Sequence, residues 1–308
     1  MTAYQKARLE IAGVEDILKQ HFGSSPAGVM PVEGGNLSSV FSFEYEGRGC
    51  IIKLSDMDGA YDTEGYVANL LTSQGIPFAK CLGQGKAGTL SYSISERIRG
   101  GNLIDCSDHE KQSQLPELIE ILTRMNYAEL GDTSGYGWIQ PNGAGAYPAW
   151  REYITSFFAE DQSGTFWEGW HGLFTATCLE KDVFEECYHR LLAYAKYNEP
   201  HRYFIHGDFQ PWNILSDGRQ ITGIIDGNFA YGDYLVDLAT LIGTLGELDV
   251  VQAYQEYQSR RGIIIPDFHE RLTGARYFKG LDALRFYAKM GWEDAYHQLR
   301  DELLQLPE

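Results

Sequence analysis

Three side chains able to bind a metal or accept a proton occur close together in the second half of the chain. Asp208 lies in HGDFQPWN at residues 206–213, Asn213 follows five positions later, and Asp226 ends IID at 224–226. Phosphoryl transfer from a nucleotide needs an acceptor for a hydroxyl proton beside oxygen ligands for Mg²⁺. The spacing therefore indicates a Mg²⁺-dependent site at which Asp208 orients a hydroxyl and takes its proton.

The residues between Asn213 and Asp226 predict how these side chains meet. Two short apolar runs flank Asp217-Gly218, which is a strong hairpin signal. A hairpin brings its ends together, so Asn213 and Asp226 should lie side by side, with Asp208 on the loop before them. Asp226 follows two isoleucines, and an acidic side chain at the end of a buried strand is costly without a cation. This favours a metal ligand at Asp226.

His206 stands two positions before Asp208, and we interpret it as a structural hydrogen-bonding residue. Its expected task is to fix the loop that carries Asp208, rather than to act as an acid or a base. For Asp208 itself the alternative is a carboxylate that only caps a turn.

Candidate nucleotide-binding residues occur earlier, in GGNLSS at residues 34–39. Glycine lets backbone amides approach phosphate oxygens, and serine hydroxyls add donors, which makes Gly35, Ser38 and Ser39 candidates. The alternative for two glycines between strands is a simple tight turn.

Lys53 lies on the next predicted strand but one, in CIIKL at 50–54. From this segment alone, the favoured interpretation is an edge-strand lysine that faces water. The functional alternative places Lys53 on nucleotide phosphates, held by a helix carboxylate. Glu64 is the candidate for that carboxylate and Asp62 is its competitor.

The order of patterns predicts an α+β chain with two lobes. Short alternating runs at 40–45, 50–54 and 90–94 predict antiparallel strands, interrupted by one helix over 61–73. Beyond residue 115 the apolar spacing is helical. We expect a nucleotide-binding lobe at 1–96, a hinge at 97–101, and a helical lobe at 102–308 that holds the catalytic loop and the substrate site.

Charge is distributed unevenly over the 308 residues, whose net charge is −18. Residues 1–100 hold 9 basic and 11 acidic side chains, whereas residues 101–308 hold 16 and 32. The balance disfavours a nucleic-acid partner. It suits either plain solubility or a site that attracts a polycation.

Other features of the sequence concern where the protein is found. No run is apolar enough for a membrane span, and residues 1–22 predict a surface helix. The five cysteines show no ligand spacing, which indicates reduced thiols in the cytoplasm.

Lys53, the segment 206–213 and the segment 224–226 together resemble the aminoglycoside phosphotransferase family, small-molecule kinases with a protein-kinase-like fold. The resemblance covers nearly the whole chain. It is closest to the hygromycin B phosphotransferase branch, through stretches that include TSGYG at 133–137 and WREYI at 150–154.

The resemblance implies roles for individual residues. Asp208 would be the catalytic base, Asn213 and Asp226 would bind Mg²⁺, and Lys53 would contact phosphate. Asp233 and Asp237 match a segment that braces the catalytic loop. The remaining implied contacts are Glu96 and Ile98 at the hinge for adenine, and Asn228, Glu247, Asp249 and Asp282, with Asp208, for the substrate.

Two departures distinguish this chain from the hygromycin branch: Lys53 makes it nearer the general family, and residues 241–249 concern the substrate. That branch carries arginine at the Lys53 position, and it places tryptophans in the region that corresponds here to residues 241–249, which hold none. The floor of the substrate site is therefore expected to differ.

From the sequence we expect an enzyme, an ATP- and Mg²⁺-dependent O-phosphotransferase that modifies a hydroxyl of an aminoglycoside antibiotic, with hygromycin B as a candidate and GTP as an alternative donor. The expected state is a cytoplasmic monomer with no nucleic-acid or membrane partner. One alternative is a kinase of a macrolide, choline, homoserine or a sugar amine on the same fold. The other is a nucleotide-binding module without catalysis.

Overall fold

The computed structural model describes residues 6–33 and 37–307. The chain divides into two compact units, the first ending at Arg99 and the second beginning at Gly100. This division falls within the segment 97–101 that the sequence marks as a connection. That the segment acts as a hinge stays a prediction.

The first unit is built on a five-stranded antiparallel sheet with the order β1-β2-β3-β5-β4. A helix, α1, precedes the sheet, and α2 lies between β3 and β4. The elements are α1 (Ile11–Phe22), β1 (Ala27–Val32), β2 (Ser39–Tyr45), β3 (Arg48–Ser55), α2 (Glu64–Thr72), β4 (Cys81–Ala87) and β5 (Leu90–Glu96). The strands predicted in this region are confirmed, as is a helix within 61–73, although the helix begins only at Glu64.

The core of this unit forms because alternate residues of the strands point to one face of the sheet. Phe41 and Phe43 of β2 and Ile52 of β3 share that face, and α1 packs on it through Val14 and Leu18. Helix α1 ends at Gly23, whose positive φ of 74° permits a left-handed cap.

Lys53 lies on an internal strand rather than on an edge. Within β3 it pairs with Val40 of β2 on one side and with Ser93 of β5 on the other. The interpretation of Lys53 as an edge-strand lysine facing water was therefore wrong. The repeated apolar runs gave no information on strand order, and strand order decides which strand is internal.

The second unit combines helices with two small antiparallel sheets, of orders β11-β10-β6 and β8-β7-β12-β9. Its strands are β6 (Gly101–Asn102), β7 (Tyr136–Ile139), β8 (Gly145–Tyr147), β9 (Tyr203–Ile205), β10 (Ile214–Ser216), β11 (Ile221–Ile224) and β12 (Ala230–Gly232). Its helices are α3 (Asp108–Asn126), α4 (Trp150–Phe157), α5 (Leu173–Ala176), α6 (Lys181–Asn198), α7 (Leu235–Leu241), α8 (Val250–Arg260), α9 (Phe268–Met290) and α10 (Glu293–Leu304). The α+β class is confirmed.

The hairpin predicted around Asp217-Gly218 is formed by β10 and β11. Ile214 pairs with Ile224, and the Asp217 carboxylate accepts hydrogen bonds from the backbone N–H groups of residues 219 and 220, at 2.9 and 3.0 Å. Just beyond the paired residues, the Ile225 N–H donates to the Asn213 carbonyl over 2.9 Å. The two ends of the hairpin therefore meet, as the sequence predicts.

A buried ion pair joins the segment after β12 to α9. Arg271 donates from Nε and Nη2 to the two carboxylate oxygens of Asp233, both at 2.8 Å, and the Asn198 amide adds a third bond of 2.8 Å. Asp233 is fully buried and Arg271 is 1% exposed. A buried carboxylate is tolerated only with such partners, so this network fixes where α7 begins relative to α6 and α9.

Among residues 6–33 and 37–307, no helix is both long and apolar enough to cross a membrane. The cysteines in this part of the chain are all unpaired, with Cys50 and Cys187 buried and the other three half-buried.

The Asp233 network predicts a large loss of stability when one partner is changed. Replacing Asp233 by asparagine (Asp233→Asn) leaves the Arg271 guanidinium buried without its counter-charge, which should lower the free energy of unfolding by about 3–5 kcal/mol. Chemical denaturation monitored by fluorescence measures this. The control is Glu185→Gln, which removes an exposed pair with Lys181 and should change stability by less than about 1 kcal/mol. Equal small effects from both variants would contradict the assignment.

Candidate active site

The loop between β9 and β10 carries the residues of the predicted catalytic motif and is held by an internal carboxylate. Asp237 of α7 is fully buried and accepts hydrogen bonds from the backbone N–H groups of His206 and Gly207, at 2.9 and 2.8 Å. The Asn126 amide donates to it over 2.8 Å. Burial raises the pKa of Asp237 to about 6, against the lowering effect of these donors. Asp237 thus braces the backbone immediately before Asp208.

Gly207 is required at this point by geometry. Its φ is 77°, and a Cβ there would lie 2.2 Å from the Asn228 carbonyl oxygen. No other residue fits without moving one of these two segments, so the loop passes directly against the chain that follows Asp226.

Both carboxylate oxygens of Asp208 accept hydrogen bonds within the loop. Gln210 Nε2 donates to Oδ1 over 2.8 Å, and Asn213 Nδ2 donates to Oδ2 over 2.7 Å. Burial raises the pKa of Asp208 above its usual value, while Lys279, Asn213 and Gln210 act to lower it. The carboxylate is therefore fixed in orientation, and its raised pKa makes it a better proton acceptor.

The structural role expected for His206 is confirmed. Its Nδ1 accepts a hydrogen bond from the Asp208 N–H over 3.3 Å. With Nδ1 an acceptor, the proton of the neutral ring lies on Nε2. The side chain is fully buried, and burial lowers its pKa to about 4. His206 therefore stays neutral near pH 7 and fixes the loop at Asp208.

Asn213 and Asp226, the predicted Mg²⁺ ligands, lie at adjacent ends of the hairpin. Asp226 has a φ of 47° and is exposed. The argument from the cost of burying this carboxylate was therefore wrong, because the chain leaves the buried strand before Asp226 is reached. What favours a metal at Asp226 is instead its place beside Asn213.

The donors fit a Mg²⁺ ion that is shared with phosphates. Asn213 uses its amide nitrogen on Asp208, which leaves the amide oxygen as the end that can face a metal, beside the Asp226 carboxylate. Hard oxygen donors of this kind suit Mg²⁺, which commonly takes one or two protein ligands and completes its shell with phosphates and water. No cluster of three or more His, Cys, Asp or Glu suited to a metal occurs among the residues that the structure describes.

In the first unit, Lys53 and Glu64 form an ion pair whose side chains are 14% and 18% exposed. Of the two candidate carboxylates it is thus Glu64, and not Asp62, that contacts Lys53. The Lys53 ammonium also lies 5.2 Å from the centre of the Tyr61 ring. Glu64, the first residue of α2, is kept in place because Gln84 of β4 holds the start of this helix.

Gln84 holds the helix through both ends of its amide. Its Oε1 accepts from the Gly65 N–H and its Nε2 donates to the Asp62 carbonyl, both over 3.1 Å. A Cβ at Gly65 would lie 3.0 Å from the Gln84 oxygen, a tight contact that the end of the Gln84 side chain would have to shift to accommodate.

Among the other predicted nucleotide contacts, Ser38 and Ser39 have hydrogen-bond partners within the protein. Ser38 accepts a hydrogen bond from the Tyr61 hydroxyl over 2.7 Å, Ser39 donates to the Ala7 carbonyl, and Gly35 lies outside the described residues. The Glu96 N–H donates to the Lys80 carbonyl over 2.9 Å. Glu96 and Ile98 stay predicted contacts for adenine.

A small cavity adjoins the catalytic loop within the second unit. Gly207, Asn228, Lys279 and Asp282 line it on the polar side. Its remaining lining is mostly aromatic, from Trp138, Trp150, Tyr153, Phe157 and Phe278. Two of the predicted substrate residues, Asn228 and Asp282, are thus brought together here.

Glu247 and Asp249, which are also predicted substrate residues, do not line this cavity. Glu247 is exposed on the segment after α7, and Asp249 caps α8 by accepting from the Gln252 N–H over 2.9 Å. Their role in substrate binding stays a prediction.

Two residues at the site escaped the sequence analysis. Gln210 stands two positions after Asp208, and its place inside the motif was the signal that could have identified it. Lys279 of α9 donates to the Gly207 carbonyl over 2.8 Å from 72 positions away, and nothing in the local sequence predicts this contact.

Comparison with known proteins agrees with this geometry. A model of the phosphotransferase enzyme family matches residues 28–272. The chain belongs to this family. Its sequence is 27% identical over 303 residues to hygromycin-B 4-O-kinase of Escherichia coli, covering 96% of this chain and 82% of that protein.

Solved structures agree with the family assignment. A thermostable mutant of aminoglycoside phosphotransferase APH(4)-Ia, in a ternary complex with AMP-PNP and hygromycin B, superposes with a TM-score of 0.78 at 26% identity, over 96% of this chain and 97% of the other. Aminoglycoside phosphotransferase APH(3'')-Id from Streptomyces rimosus, with ADP and streptomycin, shares the fold alone, at a TM-score of 0.60 and 16% identity over 89% and 99% of the chains. The resemblance to the hygromycin B branch, the protein-kinase-like fold and the phosphotransferase class are confirmed.

The buried neutral His206 predicts a distinct loss of stability in acid. A histidine with a lowered folded pKa contributes stability that is present above its unfolded pKa, near 6.5, and is lost as the pH falls towards about 4. The full loss is about 3 kcal/mol. We expect His206→Gln to be less stable than the parent at pH 7.5 and the difference to shrink by pH 4.5. Urea titrations at both values measure it, with exposed His189→Gln as the control, and a difference that did not vary with pH would contradict the neutral buried ring.

Proposed function

We propose that this phosphotransferase is an ATP- and Mg²⁺-dependent kinase that phosphorylates a hydroxyl of an aminoglycoside, with hygromycin B the first candidate and GTP an alternative donor. The observation that carries the proposal is the Asp208 carboxylate, held at both oxygens by Gln210 and Asn213 beside the exposed Asp226. A cytoplasmic monomer is proposed with it.

Asp208 is proposed as the base. It accepts the hydrogen bond of the substrate hydroxyl and takes its proton while the hydroxyl oxygen forms the new bond to the γ-phosphorus. The bond from that phosphorus to the bridging oxygen breaks in line, and the nucleotide diphosphate leaves. Positioning supplies most of the rate, because the geometry of Asp208 is set before the substrate arrives.

The phosphates are proposed to be bound by two groups of residues. Asn213 and Asp226 would hold Mg²⁺, which when bound neutralises charge on the phosphate oxygens. Lys53, kept in place by Glu64, would contact phosphate, and Gly35, Ser38 and Ser39 would add donors. The adenine contacts are proposed at Glu96 and Ile98.

An aminoglycoside acceptor is supported by charge and by the relatives. Residues 101–308 carry twice as many acidic as basic side chains, which attracts a polycation by long-range steering. Hygromycin B is the substrate named for the Escherichia coli relative and the ligand in the complex at a TM-score of 0.78. The proposed contacts with the acceptor are Asn228 and Asp282 at the cavity. Glu247 and Asp249, on the segment that follows α7, are proposed as further contacts.

A second candidate is a kinase of another small alcohol, such as a macrolide, choline, homoserine or a sugar amine. Residues 241–249 favour it, because they lack the tryptophans of the hygromycin branch. The proposed contacts would then be different for that acceptor, while the roles of Asp208, Asn213 and Asp226 would stay the same.

A coupled assay of nucleotide diphosphate release tests the acceptor class. We expect turnover with at least one aminoglycoside, hygromycin B being tried first, and little with choline, homoserine or a macrolide. Mass spectrometry of the product should show the added phosphate. Turnover of a different alcohol alone would select the second candidate, and Mg·ATP stabilisation without any turnover would indicate a nucleotide-binding module.

Asp208→Asn tests the base. The amide keeps the size of the side chain but cannot take the proton, so kcat should fall by about 10²–10⁴-fold while the Kd for nucleotide changes little. The matched control is Asp217→Asn on the exposed hairpin turn, which should keep nearly full activity. Retained activity in Asp208→Asn would place the base elsewhere.

A further inference from the structure

Three charged side chains follow one another along a single face of α9. Lys279, Asp282 and Arg285 are spaced three residues apart, which places them on neighbouring turns. Asp282 Oδ2 lies 3.6 Å from the Lys279 ammonium, and its Oδ1 accepts from Arg285 Nη2 over 3.0 Å. We call these three residues the α9 ladder; each oxygen of its central carboxylate faces a cation.

The Arg285 end of the ladder is immobilised by aromatic rings. Arg285 is fully buried, and its Nη1 donates to the Phe157 carbonyl over 3.1 Å. The guanidinium carbon lies between 4.0 and 5.0 Å from four ring centres, those of Phe157, Phe158, Trp167 and Trp170. Such contacts stabilise a buried cation and hold it in one orientation.

Stability alone gives little reason for an arginine at this position. Its Nε has no hydrogen-bond partner among the described residues, and an unsatisfied buried donor is costly. Apolar replacements of buried ion pairs are often neutral or stabilising. The chain retains instead a fixed positive charge whose described carboxylate partner is Asp282.

The Lys279 end of the ladder contacts the catalytic loop. Lys279 Nζ donates to the Gly207 carbonyl over 2.8 Å, in the peptide group that leads directly to Asp208. The N–H of the same glycine donates to Asp237 over 2.8 Å. The peptide groups on both sides of Gly207 are thus held, one by Asp237 and one by the ladder.

We propose that the α9 ladder positions Asp208, with Arg285 fixing Asp282, Asp282 fixing Lys279, and Lys279 fixing the Gly207 carbonyl. The inference rests on the proposed function, since it concerns the base of that reaction. It assigns positioning roles to Lys279 and Arg285, neither of which was among the site residues predicted from the sequence. It also gives Asp282 a role apart from binding a substrate amine.

The charges of the ladder favour this role for Asp282. With two cations on one carboxylate, the ladder carries a net charge of +1, from Lys279 and Arg285 against Asp282. The carboxylates of Asp208 and Asp237 also act on Lys279, so the positive charge is local to the ladder. Because both oxygens of Asp282 already face cations, this carboxylate serves to orient Lys279.

The first test replaces Lys279 by methionine (Lys279→Met) and measures steady-state kinetics. A misplaced base lowers the rate of the chemical step without weakening binding, so kcat should fall by about 10–100-fold while the KM for ATP and for the acceptor stays within about threefold. Lys279→Arg should recover part of kcat, because it keeps a cation that can donate to the carbonyl.

The matched control is Lys289→Met on the same helix. Lys289 also donates to a backbone carbonyl, that of Phe166, and lies 4.1 Å from the centre of the Phe166 ring. It should leave kcat unchanged. An equal loss of kcat in Lys289→Met would show a general effect of changing α9 and would overturn the proposal.

Asp282→Asn tests the middle of the ladder. We expect a fall in kcat, and we expect the double variant with Lys279→Met to lose no more than Lys279→Met alone, since both act through one contact. A rise in the acceptor KM with unchanged kcat would overturn the ladder and assign Asp282 to substrate binding. Additive losses in the double variant would overturn it too.

A measurement without any acceptor separates this proposal from the proposed function. Amide hydrogen exchange, followed by mass spectrometry, reports the order of the peptide that covers residues 206–213. Exchange there should be faster in Lys279→Met than in the parent and unchanged in Lys289→Met, whether or not an aminoglycoside is phosphorylated. Unchanged exchange in Lys279→Met would overturn the ladder, and failure of the acceptor assays alone would concern only the substrate.

Discussion

A buried carboxylate that accepts backbone N–H groups is the constraint on which the site depends. Asp237 has no solvent contact, so its charge is tolerable only while the His206 and Gly207 amides and the Asn126 side chain donate to it. The requirement works in both directions: the loop cannot leave Asp237 without stranding a charge, and Asp237 cannot leave the loop without stranding two amides. Because Asp208 directly follows Gly207 in the chain, its backbone is held in place by the same contacts.

Buried polar contacts of the same kind also fix the helices around the catalytic loop. Asp233, four residues before Asp237, is held by Arg271 and Asn198, so the start of α7 is fixed to α9 and α6. Helix α9 also contacts the catalytic loop itself, through Lys279. The site is therefore braced by elements far apart in sequence, and each brace is a polar contact in an apolar interior, where geometry is strictly defined.

Much of this could be predicted from local sequence. The hairpin follows from Asp217-Gly218 between apolar runs, and the meeting of Asn213 with the end of β11 follows from the hairpin. The structural role of His206 followed from its place in the motif. These predictions succeeded because the partners lie within about twenty residues of each other, where chain geometry leaves few alternatives.

Predictions that depended on tertiary arrangement failed or could not be made. Lys53 was assigned to an edge strand because the sequence does not give the order of strands in the sheet. Asp226 was taken as buried because the isoleucines before it do not predict the left-handed backbone conformation at which the chain leaves the buried strand. Lys279 looks like an ordinary helix lysine. Its contact with Gly207 exists only once α9 is packed, which no periodicity reveals.

Charge in the second unit acts at two distances: the overall acidic excess acts at long range, and the side chains beside the catalytic loop act at short range. The acidic excess of residues 101–308 acts at a distance, and salt screens it over about 8 Å under physiological conditions. Beside Gly207, two cations, Lys279 and Arg285, accompany the carboxylates of Asp208, Asp237 and Asp282, in a partly buried setting that salt screens much less. An acidic surface can gather a cationic acceptor, whereas the reaction itself concerns phosphates, which need local positive charge. A uniformly acidic unit would serve the first requirement and oppose the second. Two cations on one face of α9, against the catalytic loop, offset part of that opposition while the unit as a whole keeps its acidic excess.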